Sequence, residues 1–93
     1  MLEAIKLACR YRTADFDNEI KGYIQSCKNN LILGGVKEAN IKDDDESIRT
    51  TVIAYCKWQL DFQGKGERWE KIYKGLKTSL VLDRRYSCTQ ESI

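Results

Sequence analysis

The sequence predicts an all-α domain, a small bundle of about four helices, and three observations carry that prediction. Proline is absent, the glycines gather at Gly34-Gly35 and Gly64/Gly66 between long periodic segments, and no run alternates apolar and polar residues for the length of a strand. With 93 residues, 42% apolar and 32% charged, the chain has the make-up of one small folded domain and not of a disordered segment. A single modest core leaves little surplus stability, so a partner's surface is expected to add to it.

A short first helix is expected over Leu2 to Cys9, with Leu2, Ile5 and Cys9 on one side. A helix this short does not hold alone in water and must pack on another element. Thr13 then offers an N-cap for a long second helix, and Asp15, Asp17 and Glu19 place negative charge in its first turns, where the helix dipole favours it. Phe16, Ile20, Tyr23, Ile24, Cys27 and Leu31 fall within an arc of roughly 100°, the stripe of a helix facing one core. Gly34-Gly35 ends the helix. The stretch from Val36 to Lys42 has no clear period and reads as a loop pinned by one or two side chains.

The third helix is expected over Asp45 to Phe62, reading D-x-x-I-R-x-x-V-I-x-Y-x-K, with Ile48, Val52, Tyr55, Cys56 and Gln59 or Leu60 facing the core. The acidic run Asp43 to Glu46 holds the carboxylates that a hard cation needs but lacks the D-x-D-x-D-G ligand spacing. An N-cap and a dipole-favoured first turn account for it better. Gln63-Gly64-Lys65-Gly66 leads to a fourth helix, Glu67 to Leu82, reading R-W-x-x-x-Y-x-x-L-K-x-x-L. Trp69, Ile72, Tyr73, Leu76 and Leu80 share its core face, and Lys71, Lys74 and Lys77 lie opposite. A lysine row suits phosphate contact, but Glu67 and Glu70 each precede a lysine by four residues, the pairing of a solvated helix face.

From Asp83 to Ile93 there is no period, and this end is expected to be disordered in a free monomer. The helical domain is drawn over residues 1–86, with a flexible C-terminal tail at 87–93. Arg84-Arg85-Tyr86 combines bidentate donors with an aromatic anchor, the residue types of interface hot spots, and is a partner-contact candidate. Trp58 lies at the flank of its helix's apolar stripe and is either a subunit contact or a core-edge residue. Trp69 joins it as an interface candidate.

Chemistry is sparse. Histidine is absent, and Cys9, Cys27, Cys56 and Cys88 are scattered with no C-x-x-C pair, so a zinc site would need four distant thiolates to converge. Cys27 and Cys56 read as small buried hydrophobes. No phosphate-binding loop, dinucleotide fingerprint or nucleophile elbow occurs. No catalytic residue, cofactor or metal is predicted, and enzyme is the class the residues support least. The net charge of +2 gives no global pull toward polyanions. No apolar run approaches the roughly 18 to 20 residues that cross a bilayer, and Glu3 stands where a signal peptide would be basic, so the expected origin is cytoplasmic with no membrane contact.

Several pieces occur in a fixed order: the short opening helix, D-F-D-x-E-I at Asp15 to Ile20, the Gly34-Gly35 stop, and the acidic start before I-R-x-x-V-I-x-Y-x-K at Ile48 to Lys57. E-R-W-x-x-x-Y-x-x-L-K-x-x-L at Glu67 to Leu80 and the trailing Tyr86 complete the series. In this order and spacing the chain resembles the head-tail connector, or head-completion adaptor, proteins of long-tailed phages and prophages. The resemblance implies a structural virion protein at the head-tail junction, assembled in the host cytoplasm, and no enzyme activity. It implies self-association into a ring matching the portal's twelvefold symmetry, with DNA passing through the channel. The portal protein would bind on one side and a stopper or tail-completion protein on the other. On this reading Trp58, Trp69 and Tyr73 supply core or neighbour contacts and Arg84-Arg85-Tyr86 docks on the portal. Lys71, Lys74 and Lys77 form a solvated face that lines or rims the channel, touching DNA only non-specifically. The alternative is a small helical DNA-binding regulator, since short helices joined by tight turns also build helix-turn-helix proteins, which usually carry a more basic recognition helix.

Overall fold

The computed structural model describes residues 1–11 and 13–86. Four helices follow one another, α1 (Leu2–Cys9), α2 (Asp17–Leu33), α3 (Glu46–Gln59) and α4 (Gly66–Leu82), with 3-10 turns at Glu38–Asn40 and Phe62–Gly64. Helix α3 packs on the other three, most extensively on α4, and α1 rests on α2 and α3.

Helix α1 has the expected bounds and buries Ile5 and Cys9. It closes on Arg10, whose φ of 62° is left-handed, while the Tyr11 N–H donates to the Lys6 carbonyl at 2.8 Å. Helix α2 starts later than Thr13 predicts. Its N-cap is Phe16, which offers no side-chain acceptor, and the first helical residue, Asp17, is held by Lys6 of α1 at 2.9 Å. Phe16 also leaves the predicted core stripe: it is largely exposed and stacks on Tyr11, ring centroids 5.2 Å apart, because it sits outside the helix that would have aimed it inward. Ile20, Ile24, Cys27 and Leu31 form the buried stripe as expected, with Tyr23 at its edge.

The glycine pair ends α2 by a defined device. Gly35 takes φ 114°, the Val36 N–H donates to the Leu31 carbonyl and the Gly35 N–H to the Ile32 carbonyl, both at 3.0 Å. Leu31 and Val36 are both buried, which supplies the apolar contact that accompanies such a Schellman stop. Val36 is thus the side chain that pins the following loop.

At the start of α3 the Asp45 carboxylate accepts from the Ile48 N–H at 3.1 Å, the N-cap its acidic neighbourhood suggests. Asp43 pairs with Lys28 of α2 at 2.9 Å, and this hydrogen bond holds its carboxyl below the usual carboxylate range. Ile48, Val52, Tyr55 and Cys56 are buried. The helix stops at Gln59, short of the predicted Phe62, because Asp61 turns left-handed at φ 49° and gives its carboxylate to the Gly66 N–H at 2.7 Å. That bond starts α4, and it needs glycine at 66. A Cβ there would lie 2.6 Å from the Asp61 oxygen and 3.1 Å from the Trp58 carbonyl. Along α4, Tyr73 and Leu80 are buried and Trp69 and Leu76 half-buried. Ile72, expected in the core, is more exposed; it lies about 100° around the helix from Tyr73, at the edge of the covered arc.

Cys9, Cys27 and Cys56 are free and buried where α1, α2 and α3 meet. Burial pushes the Cys27 and Cys56 thiols up to about 12 and raises Cys9 as well. They behave as small apolar side chains. Cys88 lies outside the described residues. With iodoacetamide at pH 8, peptide mapping of the native protein should find Cys9, Cys27 and Cys56 unmodified, and all three should react once guanidinium unfolds the chain.

Candidate assembly surfaces

An aromatic seam joins α3 to α4. Tyr55 meets Trp58 and Tyr73 edge-on, with ring centroids 5.5 and 5.0 Å apart, and Trp58 lies tilted over Tyr73 at 5.9 Å. Such contacts add to what area burial alone contributes. The Lys57 ammonium extends the seam, 4.4 Å from the Trp69 ring centroid and 4.8 Å from that of Phe62. Two cation–π contacts on one lysine therefore tie α3 to the connecting turn and to α4. Trp58 and Trp69 are both half-buried in this seam and pack against the core. One seam hydroxyl is poorly satisfied: that of Tyr73, buried beside the Cys27 thiol, has only that weak sulfur contact and no well-formed hydrogen bond, and burial raises its pKa.

The C-terminal residues as far as Tyr86 are ordered on the domain itself, against the expectation of a disordered monomer end from Asp83 onward. The Tyr86 carbonyl accepts from the Lys37 N–H at 2.7 Å, and the Asn40 amide donates to the Arg85 carbonyl at 2.8 Å. The Tyr86 hydroxyl donates to the Asp45 carboxylate, with oxygens at 3.0 and 3.2 Å. One aspartate thus caps α3 and anchors the chain's last described turn. Of the predicted contact residues here, Tyr86 is engaged within the domain, while Arg84 and Arg85 are exposed and Arg85 is folded back on Asp83 at 2.8 Å. Residues 87–93, the predicted tail, lie outside the described residues.

The lysine row divides. Lys71 is exposed, and Lys74 pairs with Glu70 at 2.8 Å, the i,i+4 arrangement predicted for a solvated face. Lys77 is different. It is half-buried and reaches across to the Asn30 side chain of α2 at 2.9 Å.

Among the described residues three leucines are the most exposed large apolar side chains. Leu33 and Leu82, 88% and 77% exposed, end α2 and α4, the two helices that Lys77 and Asn30 tie together. Leu7, 82% exposed, stands on the outer side of α1. Fully exposed leucines are unusual in a folded monomer when they cluster, and mark surfaces another chain covers. A cleft of about 310 Å³ opens between the first turns of α3 and the last turns of α4. Its walls are hydroxyls, two leucines and a few charges, with no nucleophile–base pair. Among the described residues no group of three or more His, Cys, Asp or Glu is placed to hold a metal ion, and no helix is long and apolar enough to cross a membrane.

A protein-family model described as phage connector protein matches residues 1–87, from the opening helix through the Tyr86 turn. The chain belongs to that family. No curated protein and no solved structure matches it. Connector membership makes its role structural, in phage assembly.

The patterning of the sequence singled out Trp58, Trp69 and the lysine row as candidates but did not bring out the Lys57 bridge, the Asp61 cap or the Tyr86–Asp45 bond. The first two carry only a faint local signal, a lysine and an aspartate bordering the aromatic and glycine-rich linker. The last joins residues 41 positions apart and has none. Two tyrosine-to-phenylalanine changes should act in opposite directions. Tyr86→Phe removes a hydrogen bond to a carboxylate and should lower unfolding free energy by about 1–2 kcal/mol, whereas Tyr73→Phe removes a buried hydroxyl with only a weak thiol contact and should leave stability unchanged or raise it. Urea denaturation followed by circular dichroism measures both.

Proposed function

We propose that this connector is the ring-forming adaptor between the phage portal and the tail or stopper, with DNA passing through its channel. The observation that carries this reading is the phage connector match over the whole folded domain, supported by exposed leucines at separate places on so small a surface. A closed ring of identical subunits is built by heterologous contacts, each copy presenting two different patches. The ring would match a twelvefold portal, sit at the head-tail junction of the virion, and perform no catalysis. Arg84, outward on an otherwise anchored turn, is the unpaired cation offered to the portal, with Arg85 beside it once released from Asp83 and Tyr86 at the same turn, and Trp58 and Trp69 contribute their open edges to neighbouring chains.

A channel subunit that gripped DNA would stall its passage. The net charge of +2 fits weak contact only, and of the proposed channel-facing lysines only Lys71 lacks a partner among the described residues, since Lys74 and Lys77 are already engaged. DNA attraction should therefore be feeble and lost as salt rises. Native mass spectrometry of the protein alone and mixed with its portal should show a closed ring in at least the mixture, and duplex binding in physiological salt should be weaker than micromolar. A dimer that binds duplex at nanomolar concentration would instead identify a DNA-binding regulator.

A further inference from the structure

Six large apolar side chains are exposed among the described residues, and four of them belong to two helix faces that the domain leaves uncovered. The first face lies on α2, opposite the buried stripe of Ile20, Ile24, Cys27 and Leu31. Gly22 stands at its middle and Ile32 and Leu33 at its C-terminal end, with the uncharged Asn18, Ser26 and Asn29 making up the rest. The second face lies on α4, where Ile72, Gly75, Ser79 and Leu82 follow one another along one exposed side. Gly75 is about 160° around the helix from Lys77. Because Lys77 reaches Asn30, this face points away from α2. A Cβ at Gly22 or Gly75 would meet nothing within 4 Å. Glycine inside a helix costs stability, and no contact within the domain asks for it at either place.

We propose that the outer face of α2 in one copy packs against the outer face of α4 in the next, the two helices running parallel with Gly22 at Gly75. The proposal rests on the ring reading above and names its contact. In this alignment Ser26 meets Ser79, and Leu82 falls between Asn29 and Leu33, so leucines that the isolated domain does not use are covered at one end. At the other end the charges are opposite. Asp15 comes level with Arg68, and Glu19 lies beside Lys71, all four being exposed. Of the remaining charges on these helices, Asp17, Lys28 and Lys74 are already paired with Lys6, Asp43 and Glu70. Lys21 and Glu67 stand at the margins, about 80° or more around from the glycines.

The course of the helices agrees with a ring. Both α2 and α4 end beside the start of α3, where Lys28 reaches Asp43 and Tyr86 reaches Asp45, so they run toward the same end of the domain. Neighbours in a ring of twelve differ by a rotation of about 30°, and helices aligned within one copy therefore stay nearly aligned across the contact. The two faces point in opposite directions, one outward from α2 and one from the far side of α4. A copy can give α2 to one neighbour and α4 to the other, the heterologous contact from which closed rings are made. Lys71 is engaged as well, which leaves the lysine row little to offer passing DNA.

The full-length protein tests this by native mass spectrometry across a concentration series, alone and with its portal. Glu19→Lys and Lys71→Glu should each raise the concentration needed for ring formation by about tenfold or more, and the Glu19→Lys/Lys71→Glu double variant should recover most of that loss. Gly22→Leu and Gly75→Leu separate folding from assembly. Leucine is the better helix former and has room in the single copy, so each should raise the melting temperature of the monomer while blocking the ring. If the wild type forms rings and the leucine variants form them equally well, or the double variant recovers nothing, the contact is overturned and the ring reading stands. Variants that form normal rings but no longer take up the portal would assign these faces to the portal and overturn the contact too. If the wild type forms no ring even with its portal, the ring reading falls and this contact falls with it.

Discussion

Helix α3 is buried on two sides, and the rest of the domain depends on that constraint. One side, carrying Ile48, Val52 and Cys56, receives α1 and α2; the other, carrying Tyr55 and Trp58, receives α4. In a chain this small no second core exists to compensate for a fault in the first. The ends of α3 are accordingly secured by specific bonds. Asp45 caps the start and Asp61, just past the end, turns the chain and caps α4.

The same bonds set what remains available for assembly. Because Asp45 also receives the Tyr86 hydroxyl, the last described turn closes one end of the cleft between α3 and α4 and fixes its depth. Because Lys57 bridges Trp69 and Phe62, and Trp58 packs on Tyr55 and Tyr73, the two tryptophans are tied into the seam with only part of their surface open. A subunit that meets several neighbours gains from such rigidity, since side chains already ordered lose less freedom on contact. The exposed leucines follow the opposite logic. They add nothing to the isolated domain, and burying each against a partner would contribute about 1.5–3 kcal/mol.

Much of the fold was legible in the sequence because it arises from local rules. The 3.6-residue period marked Ile20, Ile24, Cys27 and Leu31, and Ile48, Val52 and Cys56, and the glycine pair marked the end of α2. Errors fell at boundaries. Thr13 looked like a cap, yet Phe16 stacks on Tyr11 and the helix begins at Asp17; Asp61 ended α3 early by turning left-handed. Ile72 fitted the apolar period but sits where α3 does not reach. Each case depends on what another segment does at that point, which a single helical wheel does not contain.

By itself the sequence determined that the chain is all-α, where its helices lie, that its core includes cysteines, and the order of motifs characteristic of a connector. These follow from composition and short-range periodicity, which act within a few turns of chain. The tertiary structure alone decided how the charged and aromatic residues are used. Tyr86 is an internal anchor, Lys77 a strut to α2 and Lys57 a bridge, whereas Leu7, Arg10 and Glu46 remain outward. The physical reason is that hydrogen bonds, cation–π contacts and surface exposure are set by distances between segments far apart in the chain, and those distances exist only once α3 has been covered on both sides.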